Sequence, residues 1–196
     1  MGQKQAAYDA TSLALVKPII AFYDTVDSPA PEAASVVDIT DDEWIFCINN
    51  QGTRGVKDGA LVDMPPPSNA ELIAAAQDAK VAELSAECKA AIYAGFSSNA
   101  LGELFSYPAK DTDQQNLASS VLASLMPGNA ADWSTPFWCA DASGQWEFRA
   151  HTAAQIQRVG QDGKAAILAA MARNAQLAAQ VAAADSVDAV NAIAWS

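Results

Sequence analysis

The sequence has few of the residues from which catalytic and metal centres are built. It contains one histidine and three cysteines among 196 residues. Cys47, Cys88 and Cys139 are odd in number and far apart, which favours reduced thiols over a disulfide framework. No Cys-x-x-Cys pair and no cysteine–histidine cluster has the spacing of metal ligands. We therefore predict neither a bound metal nor another cofactor.

Basic residues are also scarce. The chain has 11 Lys and Arg against 23 Asp and Glu, a formal net charge of −12. Phosphate backbones and anionic membrane surfaces would repel such a chain, so we expect no nucleic-acid partner and no membrane partner. The N-terminus shows no signal-peptide pattern, and the longest apolar stretches are alanine-rich and amphipathic rather than membrane spans. We interpret the negative charge as a source of solubility.

One set of residues could be drawn as a catalytic site. Cys139, Asp141 and His151 would supply a nucleophile, an acid and a base. No nucleophile elbow or oxyanion loop accompanies them, and His151 directly precedes a predicted helix cap. We favour a structural role for all three, and we predict no catalytic residue and no enzymatic activity.

The N-terminal third contains a series of helix and turn signals. Thr40 followed by Glu43 is a capping box, which predicts a short helix. The run 53–63 predicts a hairpin, with an Asp-Gly pair as its positive-φ turn. Three prolines at 65–67 form a stiff, extended spacer, and a second capping box after them predicts the start of a long helix.

Beyond the prolines the pattern becomes mainly helical. Alanine accounts for 44 of the 196 residues, which suits closely packed helices. The predicted elements are a helix over 69–94 that ends at Gly95, a polar loop at 97–99, a helix capped by Thr112 and Gln115, a hairpin near 137–150, and a long helix capped by Thr152 and Gln155.

Together these signals predict an α+β fold in two parts. Residues 1–67 would form a small αβ head with short strands. Residues 68–196 would form a mainly α-helical region that carries one β-hairpin. A chain of 196 residues is long enough for two small domains of this kind.

Two sets of short motifs occur in a characteristic order. The first set is Tyr8-Asp9, the helix start from Ile39 to Trp44, the glycine-rich run from Gly52 to Gly59, and Pro65 to Leu72. In this order it resembles the N-terminal domain of phage tail-fibre assembly chaperones. The second set is Gly95-Phe96, Tyr107, Asp113-Gln114, Asn116-Leu117, Gly144 with Trp146, and His151-Thr152 with Gln155. This set resembles an uncharacterised phage domain that is often fused behind such N-termini.

The resemblance implies a function and a place of action. A protein of this family would assist the folding and trimerisation of a phage or tailocin tail fibre by binding the C-terminal tip of the trimeric fibre. It would act in the host bacterial cytoplasm during phage assembly, and its retention on the finished fibre tip is left open. The alternative is a permanent structural tail-tip or fibre adaptor protein of the virion. Self-association is also left open.

Aromatic residues provide the candidate contacts with such a partner. In the head we assign partner binding to Phe22 and Tyr23 on a short strand, and to Trp44 on the first helix. There a strand of the fibre could pair with an open sheet edge, including the edge of the predicted 53–63 hairpin. The competing interface is the second hairpin, through Trp138 and Trp146, because exposed tryptophan is typical of binding hot spots.

A polar cluster at the start of the third predicted helix allows two interpretations. Asp113, Gln114 and Asn116 suit the positive end of a helix dipole. Their amides could also recognise the backbone of a partner. We favour the structural role.

Overall fold

The computed structural model describes residues 2–195 and divides into two compact units between Ser68 and Asn69. The boundary falls just after the predicted proline spacer at 65–67. We call the first unit the head and the second the C-terminal unit. The head is rich in strands and the C-terminal unit is mainly helical, so the predicted α+β class is confirmed.

The head is built from one antiparallel sheet and one helix. Its elements are β1 (Lys4–Tyr8), β2 (Lys17–Asp24), β3 (Val36–Ile39), α1 (Asp41–Asn49), β4 (Arg54–Lys57) and β5 (Ala60–Asp63). The five strands lie in the order β3-β1-β2-β4-β5. Ala6 on β1 and Val56 on β4 are buried, and α1 contacts β1.

Local signals set the ends of two elements in the head. The Glu43 N–H donates to the Thr40 Oγ1 at 3.2 Å, and the Thr40 N–H donates to the Glu43 Oε2 at 2.8 Å. This confirms the predicted capping box of α1. The turn between β4 and β5 is made by Asp58 and Gly59, both with positive φ, which confirms the predicted hairpin.

The C-terminal unit combines long helices with a second antiparallel sheet. Its elements are α2 (Asn69–Tyr93), β6 (Phe96–Ser98), β7 (Phe105–Tyr107), α3 (Asp111–Ser124), β8 (Ser134–Ala140), β9 (Trp146–Thr152), α4 (Ala153–Ala183) and α5 (Val187–Asn191). The strands lie in the order β6-β7-β8-β9. The predicted hairpin near 137–150 is therefore one half of a four-stranded sheet, and the predicted cap of α4 by Thr152 and Gln155 is confirmed.

Two apolar clusters form the core of the C-terminal unit. The first lies between the sheet and the helices α3 and α4, and it consists of Phe105, Tyr107, Leu117, Phe137, Cys139, Ile156 and Val159. The second joins α2, α4 and α5 through Leu84, Leu177, Val181 and Val190. Gln77 on α2 also donates its side-chain amide to the carbonyls of Val181 and Ala184, at 3.0 and 3.1 Å. The Val181 carbonyl also accepts from the N–H of Ala184 at the C-cap of α4, so the Gln77 amide supplements the capping of this helix end.

Two predictions for this unit were wrong in detail. Residues 97–99, predicted as a loop, begin inside the three-residue strand β6, which pairs with β7. The helix α3 starts at Asp111 rather than at a cap formed by Thr112, because the Asp113 carboxylate accepts a hydrogen bond from the Lys110 N–H at 3.0 Å. The same bond gives Asp113 the structural role that we favoured.

Membrane-spanning helices are not found in residues 2–195. No helix in this range is both long enough and apolar enough to cross a bilayer.

Candidate functional site

The central strand of the head has an open edge. On one side β2 pairs with β1 along most of its length. On the other side β4 pairs with β2 only at Lys17 and Pro18. At the far end Asp24 forms an isolated bridge to Ser28. In residues 2–195, no strand pairs with the intervening segment on this side, and we call that segment, Ile19 to Tyr23, the β2 window.

Backbone hydrogen-bonding groups face the β2 window. The Asp24 N–H and carbonyl bond to Ser28 at 3.0 Å, away from β1. Because direction alternates along a strand, the N–H and carbonyl of Phe22 point to the same side. The Pro18 carbonyl accepts from the Asp9 N–H on the β1 side, so the polar groups of Ile19 also face the window. An extended peptide can satisfy such groups by adding a strand.

A groove runs beside the β2 window. It has a volume of about 340 Å³, and we call it the edge groove. Its walls are the edge of β2, the end of α1 and the turn that follows α1. The lining residues are Pro18, Ile19, Ile20, Ala21, Phe22, Cys47, Asn50, Gln51, Gly52, Arg54 and Met64. The volume suits a short chain segment rather than a folded element.

The edge groove exists because β4 starts only at Arg54 and therefore pairs with just the first two residues of β2. Antiparallel continuation of the β2–β4 register would place Arg54 opposite Ile19 and Thr53 opposite the next residue of β2. Instead, the chain before β4 turns away through Gly52, whose φ is +79°. A β-bulge on the other side, where β2 carries Ile20 as an extra residue opposite β1, bends the strand at the same place.

Arg54 is the only charged residue among those that line the edge groove. Its Nε lies 2.9 Å from the Oδ1 of Asp63, whose side chain is 80% exposed. Its guanidinium carbon lies 5.1 Å from the centroid of the Phe46 ring. The Nε–Oδ1 contact lacks hydrogen-bond geometry, so the buried Nε has no hydrogen-bond partner among the described residues.

Some of the predicted partner-binding residues of the head pack α1 against the sheet, and others lie at the open edge of β2. Phe22 and Trp44 contact each other edge to face, with ring centroids 5.5 Å apart. Both are half-buried, so their rings serve mainly to attach α1 to the sheet. Tyr23 follows Phe22 and projects to the other face of β2. The backbone of Phe22, rather than its ring, faces the β2 window.

The predicted residues of the second hairpin form an exposed aromatic patch. Trp138 and Trp146 stack with ring centroids 6.2 Å apart, and Trp138 lies 4.9 Å from Phe148. Trp138, Trp146 and Phe148 are 39%, 42% and 67% exposed, respectively. Phe137 and Cys139, which alternate with Trp138, are buried against the helices. The sheet therefore presents one aromatic face to the core and one outward.

The three residues that could be drawn as a catalytic site, Cys139, Asp141 and His151, each make structural contacts. His151 and Cys139 are fully buried, and burial lowers the pKa of His151 and raises that of Cys139. Both ring nitrogens of His151 are engaged, with the Tyr107 hydroxyl at 2.9 Å and the Arg149 carbonyl at 2.8 Å. The Asp141 carboxylate accepts hydrogen bonds within its own turn, from the N–H and hydroxyl of Ser143 and from the N–H of Gln145. Among residues 2–195, no group of three or more His, Cys, Asp and Glu side chains could hold a metal ion.

Arg54 and the bulge at Ile20 were not predicted from the sequence. Pro18 was the available signal, because proline within a strand pattern indicates an edge or a bulge. No local signal marks Arg54, whose position beside β2 depends on the pairing of strands far apart in the chain.

Comparison with known proteins places the C-terminal unit in a family. The fold and the site define a two-unit α+β protein with an open strand edge in its head. A family model described as a domain of unknown function, DUF4376, matches residues 75–194. This match covers more than half of the chain, and the chain belongs to that family. No curated protein and no solved structure matches the chain. The resemblance of the head to tail-fibre assembly chaperones stays a prediction.

Proposed function

We propose that this protein is a chaperone that assists the folding and trimerisation of a phage or tailocin tail fibre by holding the C-terminal tip of the fibre. The observation that carries the proposal is the β2 window with its adjoining edge groove. It lies in the part of the chain whose motifs resemble fibre chaperones. It offers unpaired backbone groups of the kind that recognise an extended strand.

The proposed client would need such help. Fibre tips are intertwined β structures with many contacts between distant residues, so they assemble slowly. Their strand edges are exposed until the trimer closes, and exposed edges lead to aggregation. A strand edge that binds one segment of the client reversibly would cover it during assembly. The net charge of −12 opposes self-association of the chaperone while it does so.

The primary test is coexpression with the fibre C-terminal region encoded in the same genome. The fibre region made alone should be insoluble or monomeric, and coexpression should yield a soluble trimer, measured by light scattering coupled to gel filtration. A fibre that trimerises equally well without the chaperone would exclude this function. The protein would then be better explained as a permanent tail-tip or adaptor subunit, which mass spectrometry of purified particles would detect.

A second experiment locates the interface. Ile20 lies in the β2 window and is 67% exposed, so Ile20→Asp should leave folding intact while placing a charge in the edge groove. Trp138→Ala is the matched variant on the aromatic patch. We expect pull-down of the fibre tip to fail with Ile20→Asp and to succeed with Trp138→Ala, with circular dichroism as the folding control. The reverse pattern would move the interface to the C-terminal unit.

A further inference from the structure

We infer that the β2 window receives the last residues of its partner chain, and that the partner's terminal carboxylate binds Arg54. This inference rests on the proposed function and specifies which segment of the client is held. It follows from the direction of the strands, from the closed ends of the window, and from the charge of the groove.

Strand direction gives the first argument. β4 runs antiparallel to β2 and starts at Arg54, beside the end of the window near Ile19. A strand inserted antiparallel to β2 would therefore run from the Tyr23 end towards Arg54. It would lie in line with β4, at the position beside β2 that residues 51–53 leave unfilled. In this orientation the inserted strand has the same direction as β4, so the sheet of the head remains antiparallel.

The closed ends of the window give the second argument. The Asp24–Ser28 bridge closes one end and the Pro18–Gly55 pair closes the other. The five open residues from Ile19 to Tyr23 span about 17 Å. An inserted strand must leave the sheet or end where β4 begins. If the inserted strand is the C-terminus of its chain, it simply ends there and no turn out of the sheet is needed.

Charge gives the third argument. In the inserted orientation the carboxyl end of the strand arrives at Arg54, whose guanidinium is the only charged group that lines the groove. Two carbonyls at the end of α1 are already bonded: the Thr53 Oγ1 donates to the Asn50 carbonyl at 2.7 Å, and the Asn50 Nδ2 donates to the Phe46 carbonyl at 2.9 Å. A guanidinium binds a carboxylate through charge-assisted hydrogen bonds. A terminal carboxylate is therefore complementary to this end of the groove.

The test uses a synthetic peptide made of the last eight residues of the fibre, with either a free carboxylate or an amide at its end. Affinity for the full-length protein is measured by fluorescence anisotropy. We expect the carboxylate form to bind about tenfold more tightly or better. In Arg54→Gln this preference should disappear, and in Arg54→Lys it should be partly kept. Lys57→Gln, on the same strand but outside the groove, should retain the full preference.

Equal binding of the two peptide forms to the unchanged protein, or binding of neither, would overturn the inference. Loss of preference in a folded Lys57→Gln would show that net charge alone sets it, which would also overturn the assignment to Arg54. These results are separate from the coexpression test. A fibre that is solubilised normally, with a peptide preference that is absent, would reject the terminal carboxylate and keep the chaperone function.

Discussion

Removing the hydroxyl group of Tyr107 should destabilise the C-terminal unit by leaving a buried histidine nitrogen without its donor. Tyr107 and His151 are 1% and 0% exposed. The Tyr107 Oη lies 2.9 Å from the His151 Nε2. A phenylalanine at position 107 keeps the shape of the ring, so the change removes only the hydroxyl, which also interacts with the Cys139 thiol. A buried acceptor left unsatisfied costs about 1–3 kcal/mol, and we expect the free energy of unfolding to fall by that amount.

Urea unfolding at about pH 8 would measure this loss. Tryptophan fluorescence is a suitable signal, because four of the five tryptophans lie in the C-terminal unit. Tyr93→Phe is the matched control, since the hydroxyl of that tyrosine lies beside the exposed Asp111, whose carboxylate raises the pKa of Tyr93. The control should change stability by less than about 0.5 kcal/mol. A Tyr107→Phe protein as stable as the control would refute the argument.

The same contact also makes stability depend on pH. The His151 Nδ1 faces the Arg149 carbonyl and must carry the proton, so Nε2 accepts from Tyr107 and only the neutral ring fits. Burial lowers the pKa of His151 below its ordinary value of 6.5. Above about pH 6.5 the contribution is constant, because the ring is neutral in both states. Below it, the unfolded chain binds a proton that the folded chain does not, and stability falls by up to about 1.4 kcal/mol per pH unit.

This pH dependence can be assigned to one residue. The chain has a single histidine, so a folded His151→Phe variant should lose the decline between about pH 6.5 and pH 5. Urea midpoints measured across this range would give the slope. A flat profile in the unchanged protein would contradict the argument.

Three further predictions concern other parts of the fold. Gly95→Ala should lower the melting temperature far more than Gly128→Ala, because both have positive φ but only the Cβ at 95 would lie 2.3 Å from a carbonyl oxygen. The bond from Lys4 lowers the pKa of Asp24 to about 2, so stability should decline as pH falls from about 4 towards 2, and less so in Asp24→Asn. Trp138→Ala should lower the urea midpoint only modestly, because that ring contacts Trp146 and Phe148 on the outer face of the sheet and lies outside the buried core.

Features that depend on neighbouring residues could be predicted from the sequence. The caps at Thr40 and Thr152 each require a partner three residues away, and both form. The Asp58-Gly59 turn likewise follows from the φ values that those residues tolerate. The cap proposed at Thr112 was wrong because two acceptable cap patterns overlap there. The Asp113 carboxylate fixes the earlier start.

Features that depend on distant pairing could not be predicted in the same way. The strands β6 and β7 have three residues each, too few for a recognisable alternation, and they are stabilised by pairing with each other and with β8. The β2 window exists because β4 does not extend beside it. No local sequence pattern encodes where β4 stops pairing with β2. Phe22 was correctly placed on a strand, but its ring is held by Trp44 and only its backbone faces the window.

The short length of the β2 window has a consequence for solubility. A fully open edge strand can template copy after copy of the same protein, and this is a common route to aggregation. Here β2 has eight residues, but only the five from Ile19 to Tyr23 lack a strand partner, within residues 2–195, on the side away from β1. The β2 strand of a second molecule is too long to enter, because β4 and the Ser28 bridge obstruct its two ends. The edge of the head is thus accessible to a short peptide strand but sterically obstructed for the β2 strand of another copy.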